Sequence, residues 1–168
     1  MPTVSMCASI MKGDPVDRET LSRILNEHKA WLEDHAKGRR ACLQNRNLEK
    51  ADLSGADLSF ADLSGVCLMN AKLAGAKLTG AILDSANLGH ANLTGADLRG
   101  ARLSHVNTLS ACFAKADMEQ AIFTGSVLWN SNFEEANLKG AILTASELCD
   151  CNFAGGGSIV CRSLLRQP

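Results

Sequence analysis

Histidine and cysteine are the side chains of this 168-residue chain that could serve as nucleophiles, general bases or metal ligands. Neither His90 nor His105 has a spacing that pairs it with a cysteine nucleophile or with a second metal ligand. No C-x-x-C motif occurs, and Cys149 and Cys151 are too close together for zinc-finger spacing. His28 falls on a predicted helix, where packing against a neighbouring surface is its expected role. The sequence therefore predicts no catalytic residue, no metal site and no cofactor.

The charge balance selects neither nucleic acid nor membrane as a partner. The formal net charge is −1, and residues 41–155 carry 12 acids and 8 bases. No P-loop motif, no run of 18 apolar residues and no secretory signal pattern is found. The seven cysteines are odd in number and scattered, which is typical of reduced thiols. We therefore expect a cytoplasmic protein with no membrane contact and no direct contact with nucleic acid.

The dominant feature of the sequence is a strict period of five. Every fifth residue from Leu43 to Phe153 is large and apolar, 23 positions in all, and Thr108 is the one exception. The residue two places earlier is small, most often Ala, and Arg46 is the one large residue there. A period of five fits neither an α-helix nor an ordinary β-strand, so it indicates a repeat architecture.

The repeated units resemble those of the pentapeptide-repeat proteins. Tandem A-D/N-L-x-x units such as 56–58, 86–88, 91–93, 96–98 and 136–138 carry the resemblance, which covers about two thirds of the chain. It implies an all-β solenoid, a right-handed quadrilateral β-helix with one unit per side and four units per coil. Residues 41–155, 23 units, then make about 5–6 coils.

Close packing explains why each unit pairs a large residue with a small one. Both must point into a narrow interior, where neither a larger nor a smaller pair packs well. The fifth residue is Gly at nine places, as expected for a type II turn, and Asn45, Asn70 and Asn130 tolerate the same conformation. Residues 20 apart should stack. One predicted core column is Leu53, Leu73, Leu93, Phe113, Phe133 and Phe153.

An amphipathic helix is predicted before the repeat. Asp14 can cap its start, Pro15 suits the first helical position, and Gly38 can end it. An apolar stripe between them, which includes His28 and His35, predicts a helix over residues 15–37. We therefore divide the chain into a flexible leader (1–13), an N-terminal capping helix (14–40), the repeat (41–155) and a C-terminal tail (156–168).

Departures from the repeat pattern indicate where the protein binds. Apolar side chains at outward places should form a patch on two adjoining faces, with Trp129 as anchor. The candidate interaction patch is Met69, Ile82, Leu109, Ile122, Val127, Trp129 and Ile142. The tail is an alternative cover for this patch. Thr108 lies on the same side and indicates either a local distortion or an inward hydroxyl bonded to the backbone.

The last coil should leave an unpaired edge. Its apolar rim is predicted to be Leu143, Leu148 and Phe153, and bare edges invite pairing. Either the tail covers this end or a second copy does, so a homodimer through the C-terminal coil or through the apolar face is possible.

Two functions compete. The first is a noncatalytic scaffold that binds an unknown protein partner on its solenoid faces. The alternative comes from the resemblance, because some pentapeptide-repeat proteins imitate a DNA duplex and bind type II topoisomerases such as gyrase. A net charge of −4 over the repeat is a poor match to a polyanion. An enzyme is the least favoured function, because a filled interior leaves no cleft.

Overall fold

A computed structural model describes residues 15–155. One helix, α1, spans Arg18–Glu33. After it the chain forms a solenoid whose strands are single bridged residues rather than extended segments.

Helix α1 is shorter at both ends than predicted. Its N-cap is Asp17, whose side chain accepts a hydrogen bond of 2.8 Å from the amide of Thr20. The proposed cap Asp14 lies outside the described residues. Pro15 is not the first helical residue, because it forms a parallel bridge with Asn47 in the solenoid. The start of the helix was therefore predicted three residues too early.

The C-terminal end of α1 also differs from the prediction. The helix ends at Glu33 with Asp34 as its C-cap, so Gly38 does not terminate it. Gly38 instead allows the chain to turn back onto the helix. Its φ is +65°, and the amide of the next residue, Arg39, donates to the carbonyl of Glu27 at 3.1 Å.

The solenoid has four sides, and parallel bridges join residues 20 apart on neighbouring coils. The amide of Leu63, at the third place of its unit, donates to the carbonyl of Ile82 at 2.7 Å, whereas the amide of Asp62 donates to Ala41 at 2.9 Å. We number the faces in chain order. The first face holds residues 41–45, 61–65, 81–85 and onward, the second face 46–50 and onward, the third 51–55 and the fourth 56–60.

Every corner has the same left-handed backbone. All 23 fifth-place residues have a positive φ, and 14 of them are not glycine. A representative turn is closed by the amide of Arg46, which donates to Leu43 at 3.1 Å around Asn45 at the corner. Left-handed conformation is therefore imposed on Lys50 and Phe60 as well as on the glycines and asparagines that favour it.

The interior is filled by the large third-place and small first-place side chains. In the core column from Leu53 to Phe153, the rings of Phe113 and Phe133 stack with centroids 5.0 Å apart, and those of Phe133 and Phe153 do the same. Phe153 is only partly buried because no described coil lies above it.

Thr108 occupies an inward place without disturbing the coil. It is fully buried, and its amide donates normally to Val127 at 2.8 Å. Its hydroxyl lies 2.9 Å from the Ser131 hydroxyl, which in turn donates to the Thr108 carbonyl at 2.7 Å. Of the two predicted explanations, the structure therefore has an inward, hydrogen-bonded threonine rather than a distorted side.

Not every cysteine is a free thiol. Within residues 15–155, Cys67, Cys112 and Cys149 are free thiols. Cys42 is disulfide-bonded, which contradicts the expectation of a fully reduced set.

Candidate interaction surface

A ridge of apolar side chains runs up the second face, at the fourth place of its units. Met69 and Leu109 are half-buried, and Gly89 between them is buried. A Cβ at Gly89 would lie 3.9 Å from Cγ of Met69 and 3.8 Å from the Leu109 carbonyl, so neighbouring groups close over it. Trp129 follows on the next coil and is 42% exposed. This ridge therefore ends in a solvent-facing indole.

In the neighbouring column of second-place residues on the second face, the side chain changes from polar to apolar at Val127. Asn87 and Asn107 each accept a hydrogen bond through Oδ1 from the amide two residues ahead, at 3.1 and 3.0 Å. Val127 holds the equivalent place one coil later and has no such acceptor. An apolar side chain thus replaces a polar one beside Trp129.

On the first face, Ile122 and Ile142 lie on consecutive bridged coils, and Ile142 is 45% exposed. Ile82 belongs to the same column but is separated from Ile122 by Arg102, which forms an ion pair with Asp84. The predicted patch is therefore interrupted at Arg102. Four of its members lie together near the C-terminal end of the solenoid and are called here the C-terminal patch: Ile122, Val127, Trp129 and Ile142.

Among residues 15–155, the most exposed large apolar side chain is not one of the predicted patch residues. Phe60 is 52% exposed at the corner between the fourth and first faces. Its ring lies over Gly80, where a Cβ would be 2.7 Å from ring carbons. An aromatic residue at a fifth place was the available sequence signal, and it was missed because corners were read only for their turn conformation.

The predicted C-terminal edge residues Leu143, Leu148 and Phe153 are partly buried at the open end of the described solenoid. They sit above fully buried third-place side chains of the preceding coil, such as Phe123, Leu128 and Phe133. The third-place side chains become less buried in this coil because it is the last one that the structure describes.

Several charged side chains outside the patch are paired with opposite charges. Lys72 lies 3.8 Å from Asp52, and Lys77 lies 3.5 Å from Asp57. Arg99 contacts Asp97 at 2.6 Å, and this hydrogen bond is the main reason why the pKa of Asp97 falls to about 2. Acids and bases are therefore intermixed on the third and fourth faces.

The sequence predicted that the filled interior leaves no pocket; outside that interior, a pocket forms where α1 meets the first coil. It has a volume of about 710 Å³ and is lined by polar and apolar residues of α1, Arg18 and Leu21 among them, together with Lys50, Asp52 and Lys72. Neither a histidine nor a cysteine lines it. Within residues 15–155, no group of three or more His, Cys, Asp or Glu could hold a metal ion.

The histidines occupy two settings. His90 and His105 are exposed corner residues, and a Cβ at Gly125 would lie 2.8 Å from the His105 ring. His28 is fully buried between α1 and the first coil. Its Nδ1 accepts from the amide of Ala41 at 3.0 Å, so Nε2 carries the proton and donates to the Ser59 carbonyl at 3.1 Å.

Comparison with known proteins agrees with this architecture. Residues 39–75, 71–107 and 116–155 match the family of pentapeptide repeats, in eight copies. No curated protein matches the chain significantly. A pentapeptide repeat protein of Nostoc Pcc 7120 is 25% identical over 76% of this chain and 94% of its own, with a TM-score of 0.54.

Two further solved structures are more distant. Rfr23 from the cyanobacterium Cyanothece 51142 is 24% identical over 79% of this chain and 97% of its own, with a TM-score of 0.42. QnrB1, a plasmid-mediated fluoroquinolone resistance protein, is 18% identical over 70% of this chain and 68% of its own, with a TM-score of 0.44.

The four-sided coils and the filled interior define a β-solenoid repeat protein whose apolar core is closed and whose accessible groups lie on its outer faces. More narrowly, the chain belongs to the pentapeptide-repeat family, because the family match covers more than half of its residues. Proteins of this family form right-handed quadrilateral β-helices.

Proposed function

We propose that this protein is a noncatalytic scaffold that binds another protein through the C-terminal patch. The observation that supports this is the clustering of exposed apolar groups. Two of the three exposed large hydrophobic side chains in the described chain, Trp129 and Ile142, lie on adjoining faces near one end. Exposed apolar clusters of this kind are typical of protein-binding surfaces, and tryptophan often carries much of the binding energy.

A protein is the favoured class of partner because the patch is apolar and lacks charge. Arg102, the base nearest to it along the first face, already pairs with Asp84. Binding of nucleic acid depends on unpaired cations that neutralise phosphates, and the patch supplies none. Within the described chain, no helix is long and apolar enough to cross a bilayer.

The test is the substitution Trp129→Glu. It places a charge at the centre of the patch and should weaken partner binding at least roughly tenfold, because the anchor side chain is lost. Proteins crosslinked to the wild type in its native cells are identified first. Binding of each purified candidate is then measured by titration calorimetry.

Phe60→Glu is the matched control, since it replaces another exposed aromatic residue that lies outside the patch. Partner binding should survive this change. Equal binding by the wild type and Trp129→Glu contradicts the proposal, and equal loss in both variants indicates nonspecific attraction to exposed aromatics. Circular dichroism of both variants shows whether the solenoid is intact.

The topoisomerase-binding alternative is less well supported by the surface charges. A duplex imitation needs rows of unpaired acids, whereas Asp52, Asp57, Asp84 and Asp97 each have a basic partner within 3.8 Å. No observation on the described chain favours this function over protein scaffolding.

The same proposal includes the length of the solenoid, the role of α1 and the cellular location. We take the solenoid as about 5–6 coils long and α1 as the cap of its first coil, supported by the contacts of Leu21 and His28 with that coil. We also place the protein in the cytoplasm. The free thiols of Cys67, Cys112 and Cys149 agree with this location, whereas the disulfide at Cys42 does not.

A further inference from the structure

The backbone of each repeat unit leaves one amide without a partner on a neighbouring coil. Amides at the third and fifth places donate to the next coil, and those at the second place donate to the previous one, as at Leu88, His90 and Asn87. First-place amides close most corner turns, as that of Ala91 does by donating to Leu88 at 2.9 Å. The fourth-place amide must therefore find its acceptor outside this backbone pattern.

An aspartate or asparagine at the second place usually supplies that acceptor. Oδ1 of Asn107, for example, accepts from the amide of Leu109 at 3.0 Å. Where the second place holds another residue, the acceptor can come from a neighbouring coil. The unit of Ser104 has Arg102 at its second place, and the Ser104 amide donates to Oδ1 of Asp84 at 3.1 Å.

In residues 121–155, the fourth-place amides divide by face. On the third and fourth faces each has an acceptor, because Asn132, Asn137 and Asn152 accept at 3.0–3.1 Å. On the first and second faces none has an acceptor among residues 15–155; these are the amides of Thr124, Trp129, Thr144 and Cys149. A further coil would not change this, because fourth-place amides do not donate to the backbone of a neighbouring coil.

The residues that make the C-terminal patch apolar are the ones that remove these acceptors. Ile122, Val127 and Ile142 occupy the second places there. A partner that covers the patch also excludes water, and an amide buried without an acceptor costs free energy. The partner must therefore bring acceptor oxygens to the three amides that follow these residues, called here the patch amides: those of Thr124, Trp129 and Thr144.

The surroundings of the patch favour a neutral acceptor over a carboxylate. No lysine or arginine belongs to the patch, and Arg102 already pairs with Asp84. Glu147 is bridged to Val127 on the next coil and would repel an incoming carboxylate. Burial of a charge with no cation beside it is costly, whereas a carbonyl oxygen accepts the same hydrogen bond without bringing a charge.

Main-chain carbonyls can serve as these acceptors only where the partner is not helical. An α-helix uses its carbonyls in its own hydrogen bonds, so a helix on the patch would leave the patch amides unpaired. An extended segment has free carbonyls along its edge, and its side chains point alternately to its two sides. Such a segment supplies both the apolar groups and the acceptors that the patch requires.

We infer that the C-terminal patch binds an extended peptide segment of its partner, and that the patch amides donate hydrogen bonds to the main-chain carbonyls of that segment. Ile122, Trp129 and Ile142 contact its apolar side chains. This inference rests on the proposed function, because it uses the same surface, and it adds the conformation of the bound segment and the role of the patch amides.

The probes are linear peptides selected from a random display library on the full-length wild type and kept only if Trp129→Glu fails to bind them. NMR then follows the protein's backbone amides. With peptide bound, the patch amides should exchange at least roughly tenfold more slowly, and the peptide should show the NOE pattern of an extended chain. Ala74 is the internal control, because its fourth-place amide also has no acceptor among residues 15–155 but lies on the third face.

Val127→Asn tests the amide of Trp129 directly. The new side chain supplies its own Oδ1, as Asn107 does one coil earlier, and should weaken peptide binding roughly three- to tenfold relative to Val127→Gln. Val127→Gln is the matched control, since it is equally polar but longer. Glu147, which has that length at the equivalent place of the next coil, does not accept from the Cys149 amide.

Three results overturn the inference and leave binding through Trp129 intact: a helical bound peptide, equal weakening by both Val127 variants, or unchanged exchange of the patch amides. If no selected peptide depends on Trp129, the inference fails and only a folded partner remains for the proposed function. Slow exchange of the patch amides in the free protein also overturns it. Loss of that protection on dilution identifies a second copy as the cover, and its persistence identifies the chain's own residues.

Discussion

At the corners, the side chain of a fifth-place residue can lie over the fifth-place residue of the next coil. Phe60 lies over Gly80, and His105 lies over Gly125, where an added Cβ would be within 2.8 Å of each ring. By contrast, Gly75 and Gly95 have no atom within 4 Å of an added Cβ. Glycine is thus needed at some corners for space and at others only for the left-handed backbone.

Gly38 provides a sharper case, because the obstacle there is backbone. A Cβ would lie 2.1 Å from the Glu27 carbonyl oxygen, which already accepts from the Arg39 amide. We expect Gly38→Ala to lower the free energy of unfolding by roughly 3 kcal/mol or more, since the loop must leave the helix. Urea unfolding followed by Trp31 fluorescence measures this change.

Gly75→Ala is the control for Gly38→Ala, because both residues have a φ of +65°. This change adds only the left-handed penalty, about 1–2 kcal/mol, since Gly75 is open to solvent. Equal losses in the two variants contradict the claim that the approach of Glu27 matters.

The period of five correctly predicted which residues point inward and which form corners, because it assigns each residue a place within its unit. It could not predict contacts between coils that depend on side-chain shape. The Phe60 ring over Gly80 and the hydroxyl pair of Thr108 and Ser131 are examples. The disulfide-bonded state of Cys42 was missed because cysteine spacing alone does not show which thiols meet.

At the scale of elements, α1 is held on the first coil by a buried histidine. The two ring nitrogens of His28 bind Ala41 and Ser59, and its ring stacks on Trp31 with centroids 5.6 Å apart. Burial lowers the pKa of His28 below its usual value, and Arg40 acts in the same direction, although the Ser59 carbonyl and Asp57 oppose them. The neutral ring is the form that this contact requires.

Stability should therefore fall as the solution becomes acidic. Below about pH 6.5 the unfolded chain protonates this histidine while the folded chain resists, so unfolding takes up a proton. Between pH 7.5 and 5.5, we expect the free energy of unfolding to decrease by up to about 1.4 kcal/mol per pH unit. Urea unfolding of the Trp129→Phe protein, in which Trp31 is the sole fluorophore, reports this directly.

Two variants identify the responsible group. His28→Leu should flatten the dependence on pH, because the buried titrating ring is gone. His90→Asn alters an exposed corner histidine, keeps a residue that tolerates positive φ, and should retain the full dependence. An unchanged slope in His28→Leu assigns the effect to another residue.

The existence and the amphipathic face of α1 were predictable, but its ends were not. Asp14 and Asp17 are both suitable caps, and Pro15 suits either a first helical turn or a bridge. The solenoid decides between them because Pro15 and Val16 pair with Asn47. That pairing joins positions 31 and 32 residues apart and leaves no local pattern in the sequence.

At the scale of the whole molecule, charge is distributed rather than concentrated. The formal net charge is −1, and paired acids and bases on the third and fourth faces prevent a continuous anionic surface. We therefore expect no inhibition of gyrase supercoiling at protein concentrations up to about 10 μM, since imitation of a duplex requires dense negative charge.

The supercoiling assay should be run at low ionic strength, where weak electrostatic binding is greatest. The variant Lys72→Glu/Lys77→Glu serves as a comparison, because it removes two bases that pair with Asp52 and Asp57. Inhibition by the wild type at micromolar concentration restores the topoisomerase hypothesis. Inhibition by the variant alone shows that the paired bases prevent such binding.

The order in which the coils stack also bears on how the chain is made. Synthesis on the ribosome releases α1 and the first coil before any later coil exists. Each new coil can then pair with the coil that precedes it, because amides such as those of Leu63 and Leu83 donate to carbonyls 19 residues downstream. The coils can therefore fold one after another during translation, so that few apolar side chains stay exposed to solvent in the nascent chain.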